Sequence, residues 1–109
     1  MPHIRFRKIE AEHVKTMSGT LLKPLADTIK CDMDWLTFEH INSSNYCQGK
    51  SHVGNPFVEI LWFEREKSVK DQVAHLLTQE IKKLTHSKEI TVVFIPLQEV
   101  NYYENGEHF

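Results

Sequence analysis

Phe57-Val58-Glu59-Ile60-Leu61-Trp62-Phe63 is aromatic and branched throughout, with Glu59 its only charged residue. Such composition favours a strand, and a strand apolar on both sides needs cover on both. Upstream, residues 42–56 (Asn-Ser-Ser-Asn-Tyr-Cys-Gln-Gly-Lys-Ser-His-Val-Gly-Asn-Pro) read as a long surface loop rich in turn formers. Downstream, Ser68 reads as an N-cap with Asp71 three residues on, opening a helix whose inner stripe is Val69, Val73, Leu76, Leu77, Ile81 and Leu84. Ile90 to Ile95 forms a further strand stopped by Pro96, and residues 97–109 make a polar and aromatic tail.

The first half follows the same order. His3-Ile4-Arg5-Phe6-Arg7 alternates as a strand does. Val14, Met17, Leu21, Leu25 and Ile29 place one apolar stripe on a helix from Glu10 to about Lys30, which Pro24 should kink or break. Trp35 to Ile41 reads as the next strand. The plan is strand-helix-strand twice, without a visible repeat at the level of residues. Right-handed crossovers then give an α+β fold: one four-stranded mixed sheet with both helices on one face. The other face calls for a second copy of the chain as cover.

The 109 residues suit one domain spanning 1–109, with 40% hydrophobic and 26% charged residues. A net charge of −2 argues against nucleic acid and anionic membranes as partners. No apolar run is long enough for a membrane span and no signal peptide is evident, so a cytoplasmic protein is expected. Cys31 and Cys47 show no metal-type spacing and read as free thiols. The seven histidines form no HxxxH or HExxH pattern, so no metal site is expected.

Two features carry chemistry. Pro2 follows Met1 directly. Removal of Met1 would expose a secondary amine at the head of a strand, and an α-amino group titrates at roughly 7.7–8.0, within reach of acid–base work. Arg5, Arg7, Glu39 and Glu59 all fall on strands; an ion network is expected there, because an unpaired Glu59 in so apolar a strand would be costly.

On Met1-Pro2-His3, on Val58-Glu59-Ile60-Leu61-Trp62-Phe63 with Arg65, and on Ser68, the chain resembles the tautomerase superfamily of macrophage migration inhibitory factor (MIF) and 4-oxalocrotonate tautomerase. Within it the chain is similar to a bacterial family of uncharacterised function. The resemblance implies a MIF-like trimeric barrel, that is, a homotrimer. It implies Pro2 as the acid/base of keto-enol proton transfer on a small 2-oxo or 2-hydroxy carboxylate, without a cofactor, with Arg65 and Lys67 holding the carboxylate. His3, Arg5, Tyr102 and Tyr103 are secondary candidates. Thr91 and Val93 stand where some members carry a Tyr or Asn, and Asp34, Glu99 and Glu104 are the acids available for water activation. The alternative is a catalytically inactive trimeric binding or assembly protein on the same fold.

Overall fold

The computed structural model describes residues 2–108, so Met1, its removal, and Phe109 lie outside the described residues. In chain order the elements are β1 (His3–Arg7), α1 (Ala11–Thr20), α2 (Leu22–Ile29), β2 (Thr37–Ile41), β3 (Asn45–Cys47), β4 (Lys50–His52), β5 (Phe57–Phe63), α3 (Lys67–Thr85), β6 (Thr91–Leu97), β7 (Tyr103–Glu104) and β8 (Glu107–His108). Strands β2-β1-β5-β6 form the mixed sheet: β1 and β5 run antiparallel at its centre, each flanked by its own parallel partner.

Alternation sorts the side chains. Ile4 and Phe6 of β1 and Val58, Ile60 and Trp62 of β5 are fully buried in one cluster with Val14, Met17, Leu25, Val73, Leu77 and Ile81 of the helices. Phe38 stacks on Phe6, and Phe94 on Trp62, extending this layer to both edge strands. The intervening residues line the opposite face. There His3 and Arg5 share Glu39, Arg7 pairs with Glu59, and Leu61, Phe63, Val93 and Ile95 are half-buried. Glu59, the one charge in the apolar strand, thus has the partner expected of it. The helix-free face is part ion network and part apolar strip.

Several local expectations are corrected. The first helix breaks after Thr20 rather than at Pro24, with Leu21 at φ −99°, ψ −7° between α1 and α2. The cause is still Pro24: it has no N–H to give the Thr20 carbonyl four residues earlier, and its ring crowds that carbonyl. Helix α3 starts at Lys67, one residue before Ser68, with Glu66 as N-cap and no side-chain cap. Its first turn is tied instead by Lys70, 2.9 Å from Glu64. Trp35 lies in a 3-10 turn before β2. Pro96 sits inside β6 rather than ending it, which an edge strand allows because one side of its backbone needs no partner. The 42–56 loop contains the hairpin β3-β4, and the tail contains β7-β8. Each turns through two successive positive-φ residues, Gln48-Gly49 and Asn105-Gly106, as tight hairpins require.

A repeat does exist at the level of residues. The Pro2 carbonyl accepts the Thr37 N–H at 3.1 Å, and the Pro56 carbonyl accepts the Thr91 N–H at 3.1 Å. Each proline immediately precedes a central strand, each threonine opens that strand's parallel partner, and the separation along the chain is the same in both halves. Both prolines are buried. The two halves are related by an approximate two-fold through the Arg5–Glu59 register pair.

Candidate active site

Pro2 lies at the end of the sheet where β1 begins and β5 finishes. The register that sets His3 against Leu61 and Thr37 brings Pro2 level with Trp62 on one side and Leu36 on the other. Pro2 and Trp62 are both fully buried on the helix side of the sheet. The Arg65 guanidinium carbon stands 5.9 Å from the centre of the Trp62 ring, a cation–π approach, and Arg65 Nη1 donates to the Phe63 carbonyl at 2.7 Å. That hydrogen bond folds the arginine back over the strand end, so its charge stays near the Pro2 layer. The charge is also felt by Cys31, the half-buried thiol at the end of α2: burial pushes the thiol up, and Arg65 opposes the rise.

Trp62 Nε1 is shielded from solvent and has no acceptor among the described residues. A buried indole N–H without a partner is costly, on the order of 1–3 kcal/mol, and such a group marks a place that a polar ligand atom can fill.

The other expected residues are dispersed. Lys67 opens α3 with a largely exposed side chain, its ammonium 3.1 Å from Asp71, directed along the helix surface. His3 and Arg5 alternate with Pro2 and Ile4 and lie on the far side of the sheet. There His3 Nε2 is 2.8 Å and Arg5 Nε 3.5 Å from Glu39, and the His3 hydrogen bond, helped by Arg5, lowers the Glu39 carboxyl below the ordinary glutamate range. Tyr102 meets Phe63 edge-on at 5.2 Å on that same face, its hydroxyl donating to Glu104 at 3.0 Å. Burial and then the Glu104 contact raise its ionisation above the usual phenol range. Tyr103 is exposed and packs on His108 in the terminal hairpin. The structure therefore relates Pro2 and Arg65 through Trp62, the first level with it and the second over its ring, and places Lys67, His3, Arg5, Tyr102 and Tyr103 elsewhere. Sequence reading missed Trp62 as the group joining the two. Its level position with Pro2 follows from the antiparallel pairing of β1 and β5, which no local pattern reveals.

Among the described residues no group of three or more His, Cys, Asp or Glu is placed to hold a metal, and no helix is long and apolar enough to cross a membrane.

A mixed sheet of two β-α-β halves, helices on one side and a buried proline heading the first strand, defines the MIF and 4-oxalocrotonate tautomerase class of fold. Comparison with solved structures bears this out. A MIF-like protein from Entamoeba histolytica superposes with a TM-score of 0.76 at 16% identity, over 99% of this chain and 98% of that one. A fused 4-OT trimer superposes with a TM-score of 0.81 at 10% identity, over 97% and 94%. The chain belongs to the DUF1904 family, described as a domain of unknown function, which it matches over residues 1–108. A DUF1904 protein from Sebaldella termitidis is 42% identical across the full length of both chains, with a TM-score of 0.93. No curated protein matches the chain.

Proposed function

We propose that this protein transfers a proton in the keto-enol interconversion of a small 2-oxo or 2-hydroxy carboxylate, with Pro2 as the acid/base once Met1 is removed. The observation that carries this reading is Trp62, which lies level with the buried Pro2 and has the Arg65 guanidinium over its ring. The neutral Pro2 amine accepts a proton from the carbon beside the keto group and returns it, as the ammonium ion, to the enolate oxygen; no other reactant is consumed. A nearby guanidinium favours the neutral amine, since it disfavours a second positive charge. The substrate carboxylate pairs with Arg65 and with the unpaired N–H groups of the first turn of α3, which has no side-chain cap. Lys67 takes no direct part in this reading, since its ammonium is paired with Asp71 along the helix. Trp62 Nε1 supplies a hydrogen bond to a substrate oxygen in a site with little water.

The helix-free face, half apolar and half ion-paired, supports a homotrimer in which three sheets cover one another. Solubility and a cytoplasmic setting fit the same reading. Turnover of phenylpyruvate or 2-hydroxymuconate is the test, read beside the intact mass and an NMR titration of Pro2. Loss of turnover in Pro2→Ala, with Met1 absent from the active protein, is the expected result; activity that survives the change removes Pro2 as the base.

One observation favours the second reading, an inactive binding or assembly protein on this fold. The Pro2 ring is fully shielded in the unprocessed protomer, so a substrate reaches it only if removal of Met1 or a movement of the layer uncovers it. A Pro2 amine that titrates as in a free peptide, or a retained Met1, selects this reading.

A further inference from the structure

The end of the sheet opposite Pro2 carries a cleft of about 240 Å³ where β1 and β2 finish side by side and α1 begins. Lys8, Ile9, His40, Ile41, Asn42 and Ser43 line it, with Glu10 at the start of the helix. We infer that this cleft is a second, separate binding site, for a compact oxyanion, a carboxylate or a phosphate, held by Lys8, the Ser43 hydroxyl and the first turn of α1.

Four observations converge on it. Ser43 lines the cleft, and its Oγ is shielded and has no partner among the described residues, so the cleft wall holds a hydroxyl able to donate that has nothing to donate to. Lys8 Nζ donates to the Ser43 carbonyl, which anchors the ammonium at the cleft and leaves two of its three donors available. Helix α1 has no side-chain cap, and with His13 and Val14 donating to the Glu10 carbonyl the N–H groups of Ala11 and Glu12 are the ones left without an intrahelical acceptor, at the positive end of the helix dipole. The place itself, at the carboxyl ends of adjacent parallel strands, is where helix-covered sheets present loops and helix starts to ligands.

The internal two-fold sharpens the case. Carried across it, Lys8 falls on Trp62 and His40 on Phe94, and in the second half those two positions are filled by stacked rings 4.8 Å apart. The fold can close this space with apolar side chains and does so in one half. In the other half the same space stays open and polar. Ile9 and Ile41 give the cleft an apolar wall for a short carbon chain, while the Glu10 carboxylate limits how much negative charge it accepts.

The inference does not depend on Pro2 chemistry, and its test reads no turnover. Amide spectra of the full chain are titrated with inorganic phosphate and, separately, with acetate. Saturating shifts at Ala11, Glu12, Asn42 and Ser43 are expected for at least one anion: phosphate alone assigns the site to phosphate groups, and acetate, alone or with phosphate, to carboxylates. Lys8→Met is expected to weaken the binding about tenfold, the loss of one charge-assisted contact, with Pro2→Ala unchanged. Because Lys8 also braces the Ser43 segment, Ser43→Ala, which keeps that carbonyl, is the second variant and weakens binding several-fold. Shifts that rise linearly with both anions, shifts confined to the start of α3, or saturation untouched by both variants overturn the proposal.

Discussion

At one end of the sheet Trp62 is buried against Phe94 with Pro2 at its side; at the other, the matching positions are Lys8 and His40, and the space between them is open. The backbone treats the two ends alike, down to the hydrogen bonds from Thr37 to the Pro2 carbonyl and from Thr91 to the Pro56 carbonyl. Side chains alone separate them. A repeated scaffold thus supports one end given over to packing around a buried proline and another given over to polar groups, without a change in strand order or register.

Trp62→Ala is the strongest way to break this comparison. It empties the largest fully buried side chain and strips Arg65 and Phe94 of their partner, a loss of about 3–5 kcal/mol in denaturant unfolding. Lys8→Ala, at the equivalent position, is expected to cost less than about 1 kcal/mol in the same measurement. Equal losses at both positions would show that the two ends are packed alike after all. Next in size is Arg7→Met, which leaves the mostly buried Glu59 without its cation beside the two-fold and destabilises by about 1–3 kcal/mol.

A third variant, His40→Phe, copies the Phe94 position into the first half. Unfolding stability is expected to change by less than about 1 kcal/mol, while the anion-dependent shifts disappear as the ring enters the cleft. The smallest effect concerns Glu39, whose carboxyl is held below its ordinary value of 4.5 by the His3 hydrogen bond and by Arg5. A carboxylate with a lowered folded-state value stabilises above the ordinary value, and its contribution fades as pH falls through the lowered one. Glu39→Gln should therefore make the acid limb of a stability-versus-pH curve shallower below about pH 4.5, the starting value in the unfolded chain. An acid limb unchanged by the substitution would show that His3 and Arg5 do not bias that titration.

Much of the architecture was legible from periodicity. The alternation of His3–Arg7, the density of apolar residues over Phe57–Phe63 and the helical stripe through Val73, Leu77 and Ile81 each identify an element and its buried face. The hairpin at Asn45–Cys47 and Lys50–His52 was not legible, because strands of three exposed residues are too short to show alternation. Within the site, Pro2 and Arg65 were visible as residue types. Which basic side chain turns inward was not: Arg65 bonds back to its own strand while Lys67 joins Asp71 along the helix, a choice made by the backbone path between β5 and α3. The repeat of Pro2 and Thr37 in Pro56 and Thr91 was present in the spacing but diluted by unlike residues at nearly every other position.

The central register pair sets Arg5 opposite Glu59. A symmetric dimer of one half with its own copy would set like against like on that axis, arginine facing arginine or glutamate facing glutamate, an arrangement that repels. Joining the halves in one chain removes that constraint, because the axis position can then carry two different residues of opposite charge. Covalent continuity thus makes the two halves individually addressable, and a substitution at one end of the sheet is no longer forced on the other.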